Sequence, residues 1–413
     1  MSTARAPRIL VVANDTPLPA NSGGRVDVWR RLQALRQGGA QLAFQGWVDQ
    51  GRGTHPDAAL LQQLRATCDP ATLTPITRSA GEIVQRLLRL AWLPSHAASR
   101  WVTLDRAQCL ADARRFAPDV IWLDGLYGAA AAMWLSRQLG VPLIYRSHNI
   151  EHLYMQRQLA HAPSLKQRLG LLANVIGLRR FEHRVVRAAQ VVFDISLDDR
   201  AWWRAHGLTQ VEWLPTIVDA NYAQALSVPT EPRFDVVYFG NLRTPNNVDA
   251  VRWLIEAALP LIKRPGLRVL LAGSDPSDEV RRLAASDRRI ELLANPPDMA
   301  AVVRQGRVLV NPVRAGSGVN LKSVEMLFTR AALVSSRIGV QGLQPEVQAC
   351  FTLADEPADF ARAIEQALDQ PVPPTQLAQR QAVSHLFSAP AMIDTVFSTI
   401  EWLRASADRG AHP

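Results

Sequence analysis

The sequence predicts an α/β protein built from two doubly wound domains, each a parallel sheet with helices on both faces. Short β-branched strands alternate with helical segments, and parallel strands joined by helices need cover on both faces. This alternation runs through both halves of the 413 residues, a length that usually exceeds one compact core. A stretch with three prolines separates the halves, which indicates a linker.

The first domain is predicted over residues 1–214. Apolar runs predict its strands at residues 8–13, 40–48, 119–124, 142–148 and 190–196. A helix follows Gly23 and Gly24, because apolar residues then recur at helical spacing, at Val26, Trp29, Leu32 and Leu35.

The second domain repeats this plan over residues 233–388, after a linker at 215–232. Its strands are predicted at residues 234–241, 267–274, 290–294, 307–312 and 331–336. Residues 251–262 carry an apolar stripe typical of a helix. The last periodic segment, within residues 389–413, predicts a terminal helix that docks on the first domain.

Composition and charge are those of a soluble globular protein, with 48% hydrophobic and 20% charged residues. Three scattered cysteines, no signal-peptide pattern and no uncharged apolar run of ~18–20 residues predict a cytoplasmic protein. The formal charge is +9, and the few lysines stand at positions 166, 263 and 322. Such basicity fits nucleic acid, an anionic membrane or phosphate-bearing substrates. No interleaved aromatic and basic motif occurs, so no nucleic-acid partner is predicted.

The segment NPVRAGSGVNLKSVE follows the fourth strand of the second domain. Glycines between a strand and a helix let backbone N–H groups approach an anion, to which the helix start adds positive potential. Lys322 adds a charge, and Glu325, three residues on, can accept hydrogen bonds from a vicinal diol such as ribose. The pattern fits a ribose diphosphate; a structural turn with a Lys322–Glu325 ion pair is the alternative.

Polar residues also follow other predicted strands. Gly23 and Gly24 open a helix; the segment SHNIE brings His148, Asn149 and Glu151 together; and FGNLRTPNN contains Gly240, Asn241 and Arg243. These loops are expected to line one cleft between the domains, with chemistry suited to sugar and phosphate oxygens. No HExxH motif, paired Asp-x-Asp or Cys/His cluster occurs, so no metal site is predicted.

Five segments run in a characteristic order: PLPANSGGRVDVWRRLQAL, SHNIEHLY, LRRFEHRVVRAAQVVFDIS, YFGNLRTPNNVDAVRWL and NPVRAGSGVNLKSVEMLFTRAALVSSRIGVQGL. Together they resemble the retaining GT-B glycosyltransferases of the family 4, or group 1, type. The resemblance covers most of the chain. It implies two Rossmann-like domains facing across a cleft, with the C-terminal helix crossing back to the first domain.

The resemblance also implies a function. A nucleotide-diphosphate sugar would be the co-substrate, with no other cofactor, and a glycan or lipid-linked molecule the acceptor. Transfer would be retaining and metal-independent, in bacterial surface polysaccharide or lipopolysaccharide synthesis. The catalytic residues implied are His148, Lys322 and Glu325. The donor-binding residues are Gly23, Gly24, Gly240, Asn241, Arg243, Gly316, Ser317, Gly318, Val319, Asn320 and Glu325. Asn149, Glu151 and Asp124 are assigned to the acceptor side.

The sequence also departs from the family pattern. Many members carry a second glutamate eight positions before the one matching Glu325, and here that position falls at or near Ser317. The alternatives are therefore an inactive partner subunit that binds a sugar nucleotide or glycan, and a nucleotide-sugar epimerase on the same scaffold.

Two basic apolar stretches, residues 82–102 and 164–187, are open to two interpretations. Such stretches can lie on an anionic leaflet, which would place the protein at the inner face of the plasma membrane as a peripheral protein. Equally, they fit partly buried helices with solvated arginines.

Overall fold

A computed structural model of the protein describes residues 5–49, 57–77, 79–90, 92–160, 168, 171–172, 174–316 and 318–410. The chain divides into two compact units. The first comprises Met1–Ala20, Gly24–Pro215 and Met392–Pro413, and the second comprises Asn21–Gly23 and Thr216–Ala391.

The described part of the first unit contains a seven-stranded parallel sheet in the order β3-β2-β1-β4-β5-β6-β7. Its strands are β1 (Arg8–Ala13), β2 (Gln41–Asp49), β3 (Ala71–Ile76), β4 (Val120–Asp124), β5 (Leu143–Ser147), β6 (Val191–Asp194) and β7 (Val211–Trp213). The helices are α1 (Gly23–Gln37), α2 (Ala58–Thr67), α3 (Ala80–Arg89), α4 (Ser95–Thr103), α5 (Arg106–Phe116), α6 (Ala129–Leu139), α7 (Glu151–Ala160), α8 (Leu178–Ala188) and α9 (Leu197–Ala205).

The described part of the second unit contains a six-stranded parallel sheet in the order β10-β9-β8-β11-β12-β13. Its strands are β8 (Phe234–Asn241), β9 (Val269–Ser274), β10 (Ile290–Ala294), β11 (Gly306–Asn311), β12 (Ala332–Ser335) and β13 (Thr352–Leu353). The helices are α10 (Ala220–Ser227), α11 (Pro245–Trp253), α12 (Asp278–Ala285), α13 (Met299–Val303), α14 (Leu321–Met326), α15 (Pro345–Gln348), α16 (Pro357–Asp369) and α17 (Pro374–Ser384), followed by α18 (Ala389–Gly410).

The second sheet is covered on both faces, as parallel strands require. Successive residues of β8 show this directly. Val236 and Tyr238 join one buried apolar cluster, whereas Val237 and Phe239 join another. The predicted pair of doubly wound sheets is therefore confirmed.

The terminal helix α18 packs within the first unit. A Cβ added at Gly38 would lie 3.0 Å from Ile393 Cδ1, so the end of α1 and the start of α18 are in contact. Near the other end of α18, Arg404 donates to the carboxylate of Asp119. The predicted return of the C-terminal helix to the first domain is confirmed.

The strands that sequence analysis missed are β3, β7 and β13. All three are edge strands: β3 and β7 end the first sheet, and β13 ends the second. Edge strands are short or polar because only one side pairs. β13 has two residues, β7 has three, and β3 contains Pro75.

Two helices differ from their predicted patterns. α1 buries Asp27 and Arg31 beside Leu32 and Leu35, while Val26 and Trp29 are only half-buried. The predicted helix at 251–262 begins earlier, at Pro245, a residue suited to a first helical turn. It continues through a π-helical turn at Leu254–Ala258 and a 3-10 turn at Leu259–Leu261.

Candidate functional site

The middle of the second sheet brings two predicted loops together. β8 and β11 are neighbours, and strand order runs outward from them in opposite directions. In open α/β sheets, ligands bind beyond the carboxyl ends of the strands at such a switch point. Gly240 and Asn241 end β8, and the segment leading to Lys322 and Glu325 follows β11.

Lys322 is buried at this point. Its ammonium nitrogen lies 3.8 Å from the centre of the Tyr238 ring and 3.5 Å from Asn247 Oδ1. Burial lowers the pKa of Lys322 to about 7, although the charge of Glu325 opposes the change. Because burial destabilises the charged form of this side chain, an anion bound beside it would strongly stabilise the ammonium.

Two glycines make room for this lysine. A Cβ on Gly240 would lie 3.2 Å from Lys322 Cε and 3.3 Å from Asn247 Nδ2. Gly240 in turn needs a glycine beside it on β9, because a Cβ on Gly273 would lie 1.7 Å from the Gly240 carbonyl oxygen. Both positions therefore keep the lysine's surroundings open and admit no larger residue without rearrangement.

Asparagine side chains fix the loop after β8. Asn241 Oδ1 accepts hydrogen bonds from the backbone of Arg243 at 3.0 Å and Thr244 at 3.2 Å. Asn247 Nδ2 donates to the Asn241 carbonyl at 2.8 Å, and Asn247 Oδ1 accepts from the Tyr238 hydroxyl at 2.9 Å. The loop is thereby shaped from within, and the Arg243 side chain is exposed.

The glycine loop after β11 lies near the asparagine loop. A Cβ on Gly316 would lie 3.5 Å from Asn246 Nδ2, and Gly318 has a φ of +71°, which favours glycine. Val319, Asn320 and Glu325 are half-buried, with Asn320 directly before α14. Ser317 lies outside the described residues.

A network of buried hydrogen bonds holds α14 to the sheet. Asn311, at the end of β11, donates to Ser323 Oγ at 2.8 Å and to the Gly339 carbonyl at 3.3 Å. Ser323 Oγ also donates to the Gly339 carbonyl at 2.6 Å. These bonds set the position of the helix that carries both Lys322 and Glu325.

The first sheet carries a charged cluster at its own carboxyl edge. Asp124 pairs in register with Arg146 on β5, and His148 follows the end of that strand. His148 Nε2 lies 2.7 Å from Asp124 Oδ1, and Arg31 donates to the other oxygen of Asp124. Arg31 also donates to Asp27 at 2.6 Å. Asp124 therefore lies behind His148 as its orienting partner.

The charges in this cluster balance each other. Burial alone would raise the pKa of Asp124, but the charge of Arg31 and the hydrogen bond to His148 lower it to about 2. Burial likewise opposes ionisation of Asp27, yet Arg31, Arg146 and His148 hold its pKa below the usual range. The ring of His148 is 21% exposed while Asp124 and Asp27 are almost fully buried, so the imidazole is the group that reaches the surface.

A second cluster surrounds the predicted residue Glu151. Its carboxylate accepts from the Tyr127 hydroxyl at 3.1 Å, and its backbone N–H donates to Glu182 at 2.8 Å. Glu182 is fully buried and also lies 2.6 Å from His152 Nδ1. Burial, with the charge of Glu182, raises the pKa of Glu151 to about 7. The Asn149 carbonyl accepts from Ser147 Oγ at 3.1 Å, which fixes the turn between β5 and α7.

Sequence reasoning missed several residues that complete these clusters: Asp27, Arg31 and Arg146 in the first unit, and Tyr238 and Gly273 in the second. A signal existed for the first two, because they are opposite charges four residues apart on a predicted core-facing helix. Gly23 and Gly24, which were predicted, open α1 with no atom within 4 Å of a Cβ placed on either.

The described residues contain no group of three or more His, Cys, Asp or Glu placed to hold a metal ion. Among the helices of the described ranges, none combines the length and the apolar character that crossing a bilayer requires.

Comparisons with known proteins agree with this architecture. Residues 233–370 match the family described as Glycosyl transferases group 1, a range that contains Gly240, Lys322 and Glu325. A Klebsiella pneumoniae protein, described as an uncharacterized 44.6 kDa protein in the cps region, is 22% identical over 369 residues. The alignment spans 86% of this chain and 90% of that protein.

Solved structures decide the fold. Anabaena Alr3699/HepE in complex with UDP has a TM-score of 0.64 at 15% identity, covering 95% of this chain and 99% of that one. The chain has the GT-B fold. Sucrose-phosphate synthase of Thermosynechococcus elongatus has a TM-score of 0.61 at 18% identity, and the match covers 97% of this chain and 100% of that one. The family match lies within the second unit, and the GT-B neighbours share the fold over both units.

Proposed function

We propose that the protein is a glycosyltransferase that moves a sugar from a nucleotide-diphosphate donor to a glycan or lipid-linked acceptor. The observation that carries the proposal is the buried Lys322 ammonium at the switch point of the second sheet, inside the range that matches the group 1 family. The complexes of Anabaena Alr3699/HepE with UDP and UDP-glucose support the donor class.

Lys322 has the chemistry to stabilise a leaving diphosphate. As the bond between the sugar C1 and the diphosphate oxygen breaks, negative charge accumulates on that oxygen, and a fixed cation nearby lowers the barrier. Lys322 would supply this charge itself, so we propose transfer without a metal ion. Glu325, half-buried on the same short helix, would accept the ribose hydroxyls.

His148 is assigned to the sugar. Asp124 Oδ1, 2.7 Å from Nε2, orients the imidazole, and the ring is partly exposed. In the retaining reaction that we propose, a new bond forms between the acceptor oxygen and C1 on the face that the diphosphate leaves. The acceptor proton passes to the departing phosphate oxygen, so the imidazole binds and orients hydroxyl groups. We assign Asn149 and Glu151, which follow His148 in the chain, to the acceptor side.

The relative in the K. pneumoniae cps region supports a role in bacterial surface polysaccharide synthesis. A lipid-linked acceptor for such a pathway would be met at the inner face of the plasma membrane. We therefore place the protein in the cytoplasm with its acceptor at that membrane.

Donor affinity should fall as the pH rises above neutrality. The pKa of Lys322 is about 7 in the unliganded protein, and a bound diphosphate favours its protonated form. The terminal phosphate, with a pKa of ~6, is already ionised in this range. Titration calorimetry with the nucleoside diphosphate should show affinity decreasing by up to about tenfold per pH unit between pH 7 and 9. A Lys322→Met variant should lack this dependence, and a flat profile in the wild type would contradict the assignment.

The proposed activity is tested by incubating the full-length protein with a panel of nucleotide-diphosphate sugars, an acceptor extract and EDTA. The expected result is acceptor-dependent release of the nucleoside diphosphate with one donor. Tight donor binding without any release would instead indicate the inactive partner subunit. Conversion of one nucleotide sugar into another without acceptor would indicate the epimerase.

A further inference from the structure

An amphipathic helix on the first unit is oriented with its apolar face toward solvent. Ile83 lies above Leu87 and Val84 above Leu88, each pair four positions apart, so the four residues form one broad apolar stripe on α3. Their exposed fractions lie between 45% and 68%. In a soluble helix this stripe would face the core, yet no residue of α3 is buried.

The polar face of α3 is the one that contacts the protein. Arg86 Nη2 donates to Ser95 Oγ on α4 at 2.7 Å. Glu82 accepts from the Ser79 backbone at 3.0 Å and from the Thr77 hydroxyl. The Arg86 bond holds the polar side of the helix against α4, and the Glu82 bonds cap its first turn. This arrangement leaves the apolar stripe to face outward.

The exposed apolar surface extends beyond α3. Trp92, just after the helix, is 66% exposed. Leu172 and Ile176 are also exposed, and they flank Asn174, whose Oδ1 accepts from the His96 backbone on α4 at 3.2 Å. Both segments thus adjoin the start of α4. We call the set Ile83, Val84, Leu87, Leu88, Trp92, Leu172 and Ile176 the apolar patch.

The charges around the apolar patch are mainly positive, with Glu82 in the first turn of α3 as the acidic residue of that helix. Residues 83–104 contain no Asp or Glu but include Arg86, Arg89 and Arg100, and residues 171–181 contain none but include Arg179 and Arg180. Arg179 and Arg180 are exposed. A second copy of the chain docked here around a twofold axis would bring like charges together, which is unfavourable.

We propose that the apolar patch docks the protein on an anionic lipid surface. Exposed aliphatic side chains would enter the headgroup region, Trp92 would lie at the interface, and the arginines would attract acidic headgroups. This surface lies on the first unit and does not depend on the proposed transfer reaction. It favours the membrane interpretation of residues 82–102 over that of a partly buried helix, because the apolar residues of α3 are exposed.

The test is cosedimentation of the full-length protein with vesicles of phosphatidylcholine, with and without phosphatidylglycerol. The wild type should bind the anionic vesicles and bind pure phosphatidylcholine far more weakly. The Leu87→Glu/Leu88→Glu variant should lose at least about tenfold in partitioning, because two charges replace inserted aliphatic groups. Its matched control is Val228→Glu/Leu261→Glu, which changes two exposed aliphatic residues of the second unit and should bind like the wild type.

The arginine contribution is tested with Arg179→Gln/Arg180→Gln against Arg281→Gln/Arg282→Gln, an exposed pair on α12. The first variant should bind on the order of tenfold more weakly, and the second should be unchanged. Failure of the folded wild type to bind anionic vesicles would overturn the proposal. So would binding that survives Leu87→Glu/Leu88→Glu, or a dimer that this variant dissociates, which would make a second copy the occupant.

Discussion

Replacing Lys322 with methionine should reduce turnover by about 100-fold or more without weakening the fold. The methionine fills similar space beside Tyr238 but cannot offset charge on a leaving diphosphate. Stability should be unchanged or higher, because burial makes the ammonium costly and lowers the pKa of Lys322 to about 7. The measurement is the rate of nucleoside diphosphate release, together with the Tm.

The control for this variant is Lys263→Met, which changes an exposed lysine of the same unit and should leave the rate unchanged. The stability effect also has a pH signature. The folded-state pKa of Lys322 is below the unfolded value of 10.5, so the unfolded state binds more protons between about pH 7 and 10.5. Wild-type stability should therefore rise across that window, relative to Lys322→Met. A Lys322→Met variant with a lower Tm at neutral pH and near-normal turnover would contradict both expectations: that the buried ammonium lowers stability and that it is needed for the reaction.

Replacing Asp124 with asparagine should destabilise the protein by about 3–5 kcal/mol and also reduce turnover. Asp124 is almost fully buried between Arg31 and His148. Asparagine leaves Asp27 as the remaining carboxylate on the Arg31 guanidinium, and its single amide oxygen can accept from Arg31 or from His148 but not from both. Chemical denaturation measures the stability. A His148→Ala variant, which removes only the partly exposed ring, should lose turnover with a much smaller loss of stability.

The control for Asp124 is an exposed ion pair. Glu212 accepts from Arg200 at 3.1 Å and from Arg204 at 2.7 Å, and Glu212→Gln should change stability by less than about 1 kcal/mol. Because the folded-state pKa of Asp124 is lowered from 3.8 to about 2, the stability it contributes should be lost as the pH falls through that interval. Asp124→Asn should lose less over the same interval. Equal costs for Asp124→Asn and Glu212→Gln would show that the buried network carries no special stability.

The sequence predicted the parts of the fold that depend on continuous apolar pattern. The central strands of both sheets were found because parallel strands covered on both faces carry continuous apolar runs, as residues 236–239 illustrate. The edge strands β7 and β13 were missed because they are too short for any periodicity to be visible. The glycine loop and Lys322 were recognisable because they lie within a few residues of each other in the sequence, so the motif is visible without the fold.

What the sequence did not reveal depends on residues that are distant in the chain. Asp27, Asp124 and Arg146 meet because β1, β4 and β5 are neighbours and α1 packs above them, and no local pattern reports that meeting. In the sequence, Tyr238 is indistinguishable from the other apolar residues of its strand. The structure shows that its ring lies under the Lys322 ammonium. The orientation of α3 could not be predicted either, since its amphipathic pattern is the same whichever face contacts the protein.

Thermal unfolding in the presence of nucleoside diphosphates and their sugars, with EDTA, tests the central claim most directly. A ligand at 100 times its Kd should stabilise the folded protein by about 2.7 kcal/mol, enough to raise the Tm measurably. The donor-site assignment predicts that one nucleoside diphosphate and its sugar raise the Tm of the wild type and of Lys263→Met, and that Lys322→Met loses this shift. No shift with any nucleotide, or a full shift in Lys322→Met, would contradict it.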